Sequence, residues 1–111
     1  MILHICSKQT WEDAMKVGSY EGDTLASQGF IHCSTPEQVI EVANYMFKGK
    51  GNLVLLVIDD QKVNQEIKYE DAGNGKLYPH IYGPLNTDAV LKIVDFSPKQ
   101  DGTFELPDLE K

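Results

Sequence analysis

Hydrophobic and polar positions alternate over Ile2–Cys6, with Ile2, His4 and Cys6 on one side and Leu3 and Ile5 on the other, which predicts a first strand. A short helix follows, with Thr10 as N-cap, Glu12 and Asp13 in its first turn and Gly18 as its stop. Ser19–Ser27 reads as a polar loop holding one aromatic, Tyr20. Phe30 and Ile31 begin a strand that runs into Thr35-Pro36-Glu37-Gln38, a sequence with the form of a capping box and proline at the first helical position. The helix expected from Pro36 to about Lys48 places Val39, Ile40, Ala43, Met46 and Phe47 on one apolar face.

Leu53–Ile58 is an unbroken apolar run, as expected of a central strand covered on both faces. The Asp59-Asp60 pair reads as an acidic turn. Val63–Tyr69 is less periodic, with Ile67 and Tyr69 on one side of a strand ending at Glu70-Asp71, and 72–76 is a flexible turn. Leu77–Leu85 carries Pro79 and Pro84, which predicts an edge or bulged strand. Ala89–Phe96 is a further strand, opened by a turn at Asn86-Thr87-Asp88, and Phe104-Glu105-Leu106 a last one; 107–111 reads as a fraying acidic tail. Strands interspersed with short helices give an α+β class, and 111 residues make a single domain, 1–111.

Charge narrows the partners. The formal net charge of −7 argues against nucleic acid and against an anionic membrane surface, since phosphate binding needs clustered cations. All 10 cationic side chains are lysine, so the bidentate guanidinium fork is missing and an anion must be met by lysine, hydroxyl, imidazole or backbone N–H groups. No apolar run approaches the roughly 18 residues of a membrane span, and the opening Met-Ile-Leu-His lacks a signal-peptide pattern, so a cytoplasmic location is expected. Cys6 and Cys33 both lie in apolar strand-like runs and read as buried thiols of a reducing compartment.

Each of the 3 histidines shares a strand face with a polar or reactive neighbour: His4 with Cys6, His32 with Ser34, His80 with Tyr82. Convergence of the three strands would make an acid–base or ligand-orienting cluster; three histidines each hydrogen-bonded separately is the other reading. Zinc is disfavoured because adjacent His32 and Cys33 point to opposite faces and no Cys-x-x-Cys or His-Glu-x-x-His motif is present. Ser34 and Thr35 sit beside a helix mouth, where backbone N–H groups favour an anion or hydroxyl.

Phe30-Ile31-His32-Cys33-Ser34 and Pro79-His80-Ile81-Tyr82-Gly83-Pro84-Leu85, with His4-Ile5, Trp11, Gly18, Tyr20, Gln38, Leu55 to Asp59 and Tyr69-Glu70, resemble a bacterial family of small proteins designated domain of unknown function 952. That family is grouped with ADP-ribosyltransferase-like folds. The resemblance implies a small split, two-sheet β core with two short helices and a nucleotide-shaped cleft, with NAD as a candidate substrate. Carried over residue by residue, it implies His4 as the histidine that positions ribose, Tyr20 and Tyr82 as stacking rings, Ser34-Thr35 as a strand-end hydroxyl motif and Glu70 as the nearest match to a late glutamate; together with the histidine-bearing strands this makes His4, His32, Glu70 and His80 the expected catalytic set. Tyr20, Ser34, Thr35, Gln38 and Tyr82 would hold the ligand. RNA 2′-phosphotransferases of the same fold rely on several arginines, which this chain lacks. The expectation is therefore a nucleotide or related small ligand in a histidine-lined cleft, with ADP-ribosyltransferase or NAD-glycohydrolase-like chemistry; the alternative is a non-catalytic binding or regulatory module.

Overall fold

All six side chains of Leu53–Ile58 are buried, and the computed structural model makes this strand (β4) the centre of the molecule. It describes residues 1–22, 24–71 and 73–109. β4 lies antiparallel between β1 (Ile2–Ser7) and β8 (Val90–Phe96), with His4 opposite Leu56 and Ile93 on its other side. The two-residue repeat splits β4 between two cores. Val54, Leu56 and Ile58 join Cys6, Trp11, Tyr20, Ile31, Ile81 and Leu85. Leu53, Leu55 and Val57 join Leu3, Val39, Ala43, Phe96 and Phe104. Burying each leucine contributes about 2 kcal/mol, so a strand apolar at every position is what a doubly covered sheet requires.

A second sheet has the order β3–β6–β5, with β3 at Ile31–His32, β5 at Ile67–Asp71 and β6 at Leu77–Ile81; β2 (Ser19–Tyr20) and β7 (Leu85–Asn86) form a third, two-stranded sheet. One main-chain bridge joins the first two sheets among the described residues. Leu3 N–H donates to Ser34 O and Ser34 N–H to Leu3 O, both at 2.8 Å. Beyond that bridge β1 and the β3 segment part. The α+β class stands, with three sheets among the described residues in place of the expected two.

The described residues form three α-helices, not two: α1 (Lys8–Val17), α2 (Leu25–Gln28) and α3 (Val39–Met46). α1 starts before Thr10 because Ser7 takes the cap, its Oγ accepting from Thr10 N–H at 3.1 Å. Gly18 ends α1 at φ 88° and Gly29 ends α2 at the same φ, which a side chain with Cβ adopts only under strain. β2 and all but the last residue of α2 lie inside the stretch expected to be loop. α3 starts three residues late: Gln38 Oε1 accepts from Thr35 N–H at 3.1 Å, as a capping box requires, but Gln38 and Val39 N–H both go to the Thr35 carbonyl, so Pro36 to Gln38 form a tight turn. Met46, expected in the core, is 59% exposed.

Two further expectations change. β6 is central rather than an edge, and Pro79 is tolerated because it keeps the acceptor half of its pairing with the chain that follows β3: Cys33 N–H donates to Pro79 O at 3.0 Å. Phe104 belongs to no strand; its ring stacks on Phe96 at 4.7 Å and its N–H donates to Asn44 Oδ1. Within the tail expected to fray, Leu109 packs against the second core, while Glu110 and Lys111 lie outside the described residues. No helix among the described residues is long and apolar enough to cross a membrane.

Candidate functional site

The parting of β1 from β3 sets the geometry. Leu3 turns its main-chain N–H and C=O toward Ser34, so Ile5, two residues on, turns its own the same way, past the point where the partner has left. An open depression of about 500 Å³ lies there, bordered by Ile5, Cys6, Ser7, Tyr20, Phe47 and Lys50. Ile5 and Cys6 side chains point to opposite faces, and both border it, so the depression runs along the strand's edge. No histidine is among its lining residues; Tyr20, which is, hydrogen-bonds to His4.

Tyr20 is 3% exposed and packs into the first core. Its hydroxyl lies 2.7 Å from His4 Nε2, and His4 Nδ1 lies 2.5 Å from the main-chain oxygen of His32. A carbonyl only accepts, so Nδ1 of His4 carries the proton, and in the neutral ring Nε2 accepts from the tyrosine. His32 is exposed, and its Nε2 donates to Gln28 Oε1 at 2.8 Å.

The second sheet carries the remaining groups on one side. His32 and Lys68 both stand opposite His80, and the two-residue repeat adds Phe30, Glu70 and Tyr82 to that face. Phe30 stacks on the His80 ring at 4.1 Å with 17° between planes, and His32 meets His80 edge-on at 5.2 Å. His80 Nδ1 donates to Glu70 Oε1 at 2.9 Å, and the Tyr82 hydroxyl donates to the same oxygen. These two hydrogen bonds, the tyrosine's first, hold the Glu70 carboxyl below its usual range, and Glu70 in turn pushes the Tyr82 phenol above its own. Lys68 Nζ lies 4.8 Å from the Tyr82 ring centre.

The residues singled out from the sequence thus fall into two groups joined through His32. His4, Tyr20 and the His32 carbonyl form one; His32, His80, Glu70 and Tyr82 form the other. Ser34 is buried, and its main chain is committed to Leu3. Gln38 uses both ends of its amide within the chain, Oε1 toward Thr35 and Nε2 toward Leu77 O at 2.7 Å. Cys6 and Cys33 are free and buried; burial pushes the Cys6 thiol up to about 11, against a smaller lowering influence of the neighbouring Tyr20, and raises Cys33 further. Among the described residues no three His, Cys, Asp or Glu side chains are placed to hold a metal ion.

Sequence reasoning missed Phe30, Lys68 and the Ile5 edge. Phe30 has the same parity as His32, and that signal was readable. Lys68 needed the pairing of β5 with β6, and Ile5 contributes main-chain groups that no side-chain pattern reveals.

This is the architecture of a small α+β protein with a parted sheet. The chain belongs to the family described as protein of unknown function DUF952, whose model matches residues 5–93. It is similar to protein CC0527 from Caulobacter crescentus, whose crystal structure is 35% identical, aligns with a TM-score of 0.87 and covers 95% of this chain and 93% of that one. The solution NMR structure of CC0527 aligns at 0.83, with the same identity and 95% and 91% of the two chains covered. Among curated proteins none matches.

Proposed function

We propose that this protein binds a nucleotide or a related small ligand where β1 parts from β3, with NAD as a candidate substrate and ADP-ribosyltransferase or NAD-glycohydrolase-like chemistry, as the resemblance to ADP-ribosyltransferase-like folds implies. The observation that carries the reading is the open Ile5 edge beside the Tyr20–His4–His32 chain of hydrogen bonds. A main-chain N–H and C=O pair suits a ligand amide or a base edge. Tyr20 and Phe47 offer apolar flanks, and Lys50 stands at the rim for an anionic group in a chain without arginine. His4 holds Tyr20 at the border of the depression, Ser34 and Thr35 lie at the start of the turn after β3, and His32, His80 and Tyr82 stand on the neighbouring sheet, outside the lining residues.

The test is an amide NMR titration with NAD and AMP at millimolar concentration. Resonances of Ile5, Tyr20 and His32 to Thr35 move if the reading is right; if they stay in place, it is wrong.

A second reading, a binding module without turnover, is favoured by one feature: Glu70 already holds His80 and Tyr82. Incubation with NAD and mass detection of free nicotinamide separates the two. Nicotinamide release that disappears in Glu70→Ala supports the enzyme, and binding without release supports the module.

A further inference from the structure

The face of the sheet β3–β6–β5 holds a carboxylate–imidazole pair in an arrangement that divides labour between its members. His80 is 5% exposed, lies under Phe30, and has its Nδ1 tied to Glu70. Glu70 is an ionised acceptor held from a second side by Tyr82, so the proton between the two sits on Nδ1. In the neutral ring Nε2 is then the nitrogen with the lone pair. It makes no hydrogen bond among the described residues, and no fully buried side-chain nitrogen or oxygen there lacks a partner, so Nε2 is not wholly sealed from solvent. The groups around the ring are His32 from β3, Lys68 and Glu70 from β5, and Tyr82 beyond β6.

We infer that His80 Nε2, and not Glu70, is the group of this sheet that meets the ligand, accepting a hydrogen bond from a ligand hydroxyl such as that of a ribose, and that Glu70 is the positioning residue that fixes the ring's tautomer. The inference deepens the nucleotide reading and rests on it for the source of the hydroxyl. A carboxylate that holds an imidazole by one nitrogen makes the other a better acceptor and aims it, which is the use of such pairs at metal and proton-transfer sites. Phe30 fixes the ring plane from above and keeps water from one face.

The experiment is long-range proton–nitrogen NMR of the imidazoles at a pH of about 8, where an ordinary histidine is neutral, with and without AMP or its dideoxy counterpart. The result expected is a His80 ring protonated on Nδ1 with an Nε2 resonance that AMP shifts and dideoxy-AMP does not. Glu70→Gln, whose amide oxygen still accepts from Nδ1, keeps the tautomer. Glu70→Ala mixes the tautomers and weakens AMP binding by about tenfold, the lower end of what an orienting partner is worth. A wild-type ring protonated on Nε2 overturns the inference, as does a dideoxy ligand that shifts Nε2 as far as AMP does. If AMP moves no resonance anywhere, the ligand reading falls and takes the hydroxyl contact with it, whereas a wrong tautomer with AMP still bound removes only the role given to His80.

Discussion

Nδ1 of His4 lies 2.5 Å from the main-chain oxygen of His32, which ties a side chain of the first sheet to the backbone of the second just where the two part. The contact fixes the His4 tautomer and so makes the Tyr20 hydroxyl, 2.7 Å from Nε2, a donor to the ring. Tyr20→Phe removes that donor without emptying the core. The expected cost is about 1 kcal/mol, one net hydrogen bond, or a fall of about 5 °C in Tm for a domain of this size. Thermal melting by circular dichroism checks it, and the His4 Nε2 resonance should shift in the same variant. An unchanged Tm together with an unchanged resonance would show that the hydroxyl does not serve His4.

The bond from Tyr82 to Glu70 makes stability depend on pH at both ends of the scale. Glu70 has its carboxyl held below the ordinary value of 4.5, so its contribution is present above that value and is lost as pH falls through the lowered one. Tyr82 has its phenol raised above 10.0, so its contribution is present below that value and is lost as pH rises through the raised one. Tyr82→Phe should therefore differ from wild type by a constant Tm offset between about pH 5 and 9, and the two curves should converge toward each extreme. Parallel curves over the whole range would mean that the two groups do not share a proton-dependent bond.

Much of the scaffold was legible in the sequence because it rests on local rules. Leu53–Ile58 reads as a doubly covered strand from composition alone, and Ile2–Ser7 from its alternation. What was not legible depends on partners distant in the chain. Met46 has helical spacing with Val39 and Ala43, yet it is the last residue of α3 and stands exposed while those two are buried. Pro79 argued for an edge because a central strand normally needs both main-chain groups. It can be central because the neighbouring β3 ends after His32 and only one bond from Cys33 is asked of it. The same limit applies to the candidate site. Period-two reasoning puts His80 with Tyr82 and His32 with Phe30, whereas the contact between those pairs follows from the β3–β6 register, which no local pattern encodes.

Neither cysteine should behave as a reactive thiol. Cys6 is 7% exposed and Cys33 4%, and burial disfavours both thiolates, lifting Cys6 to about 11 and Cys33 beyond it. At pH about 8 the folded protein should resist iodoacetamide, and denaturant should release both thiols together in one cooperative step. Cys6 borders the depression at Tyr20, so slow modification confined to Cys6 would show that the edge of β1 opens more widely than its burial implies.

Phe104 provides the sharpest test of how the chain's final segment contributes. Sequence pattern makes it part of a short strand; in the structure it pairs with no strand, yet it is 3% exposed, stacks on Phe96 with 19° between ring planes, and sends its N–H to Asn44 Oδ1. The segment thus closes the second core as a side-chain plug, and its energy comes from the ring rather than from a ladder of hydrogen bonds. Phe104→Ala should cost about 3–5 kcal/mol, the range for emptying a buried aromatic site, and Phe104→Leu about half of that because much of the volume is kept. Glu105→Ala, one position on and exposed, should change stability by less than about 0.5 kcal/mol. Urea denaturation of the three variants checks the order. If Phe104→Ala cost no more than Glu105→Ala, the segment would be a passive extension, and the core over Leu55 and Val57 would be closed by α3 and Phe96 alone.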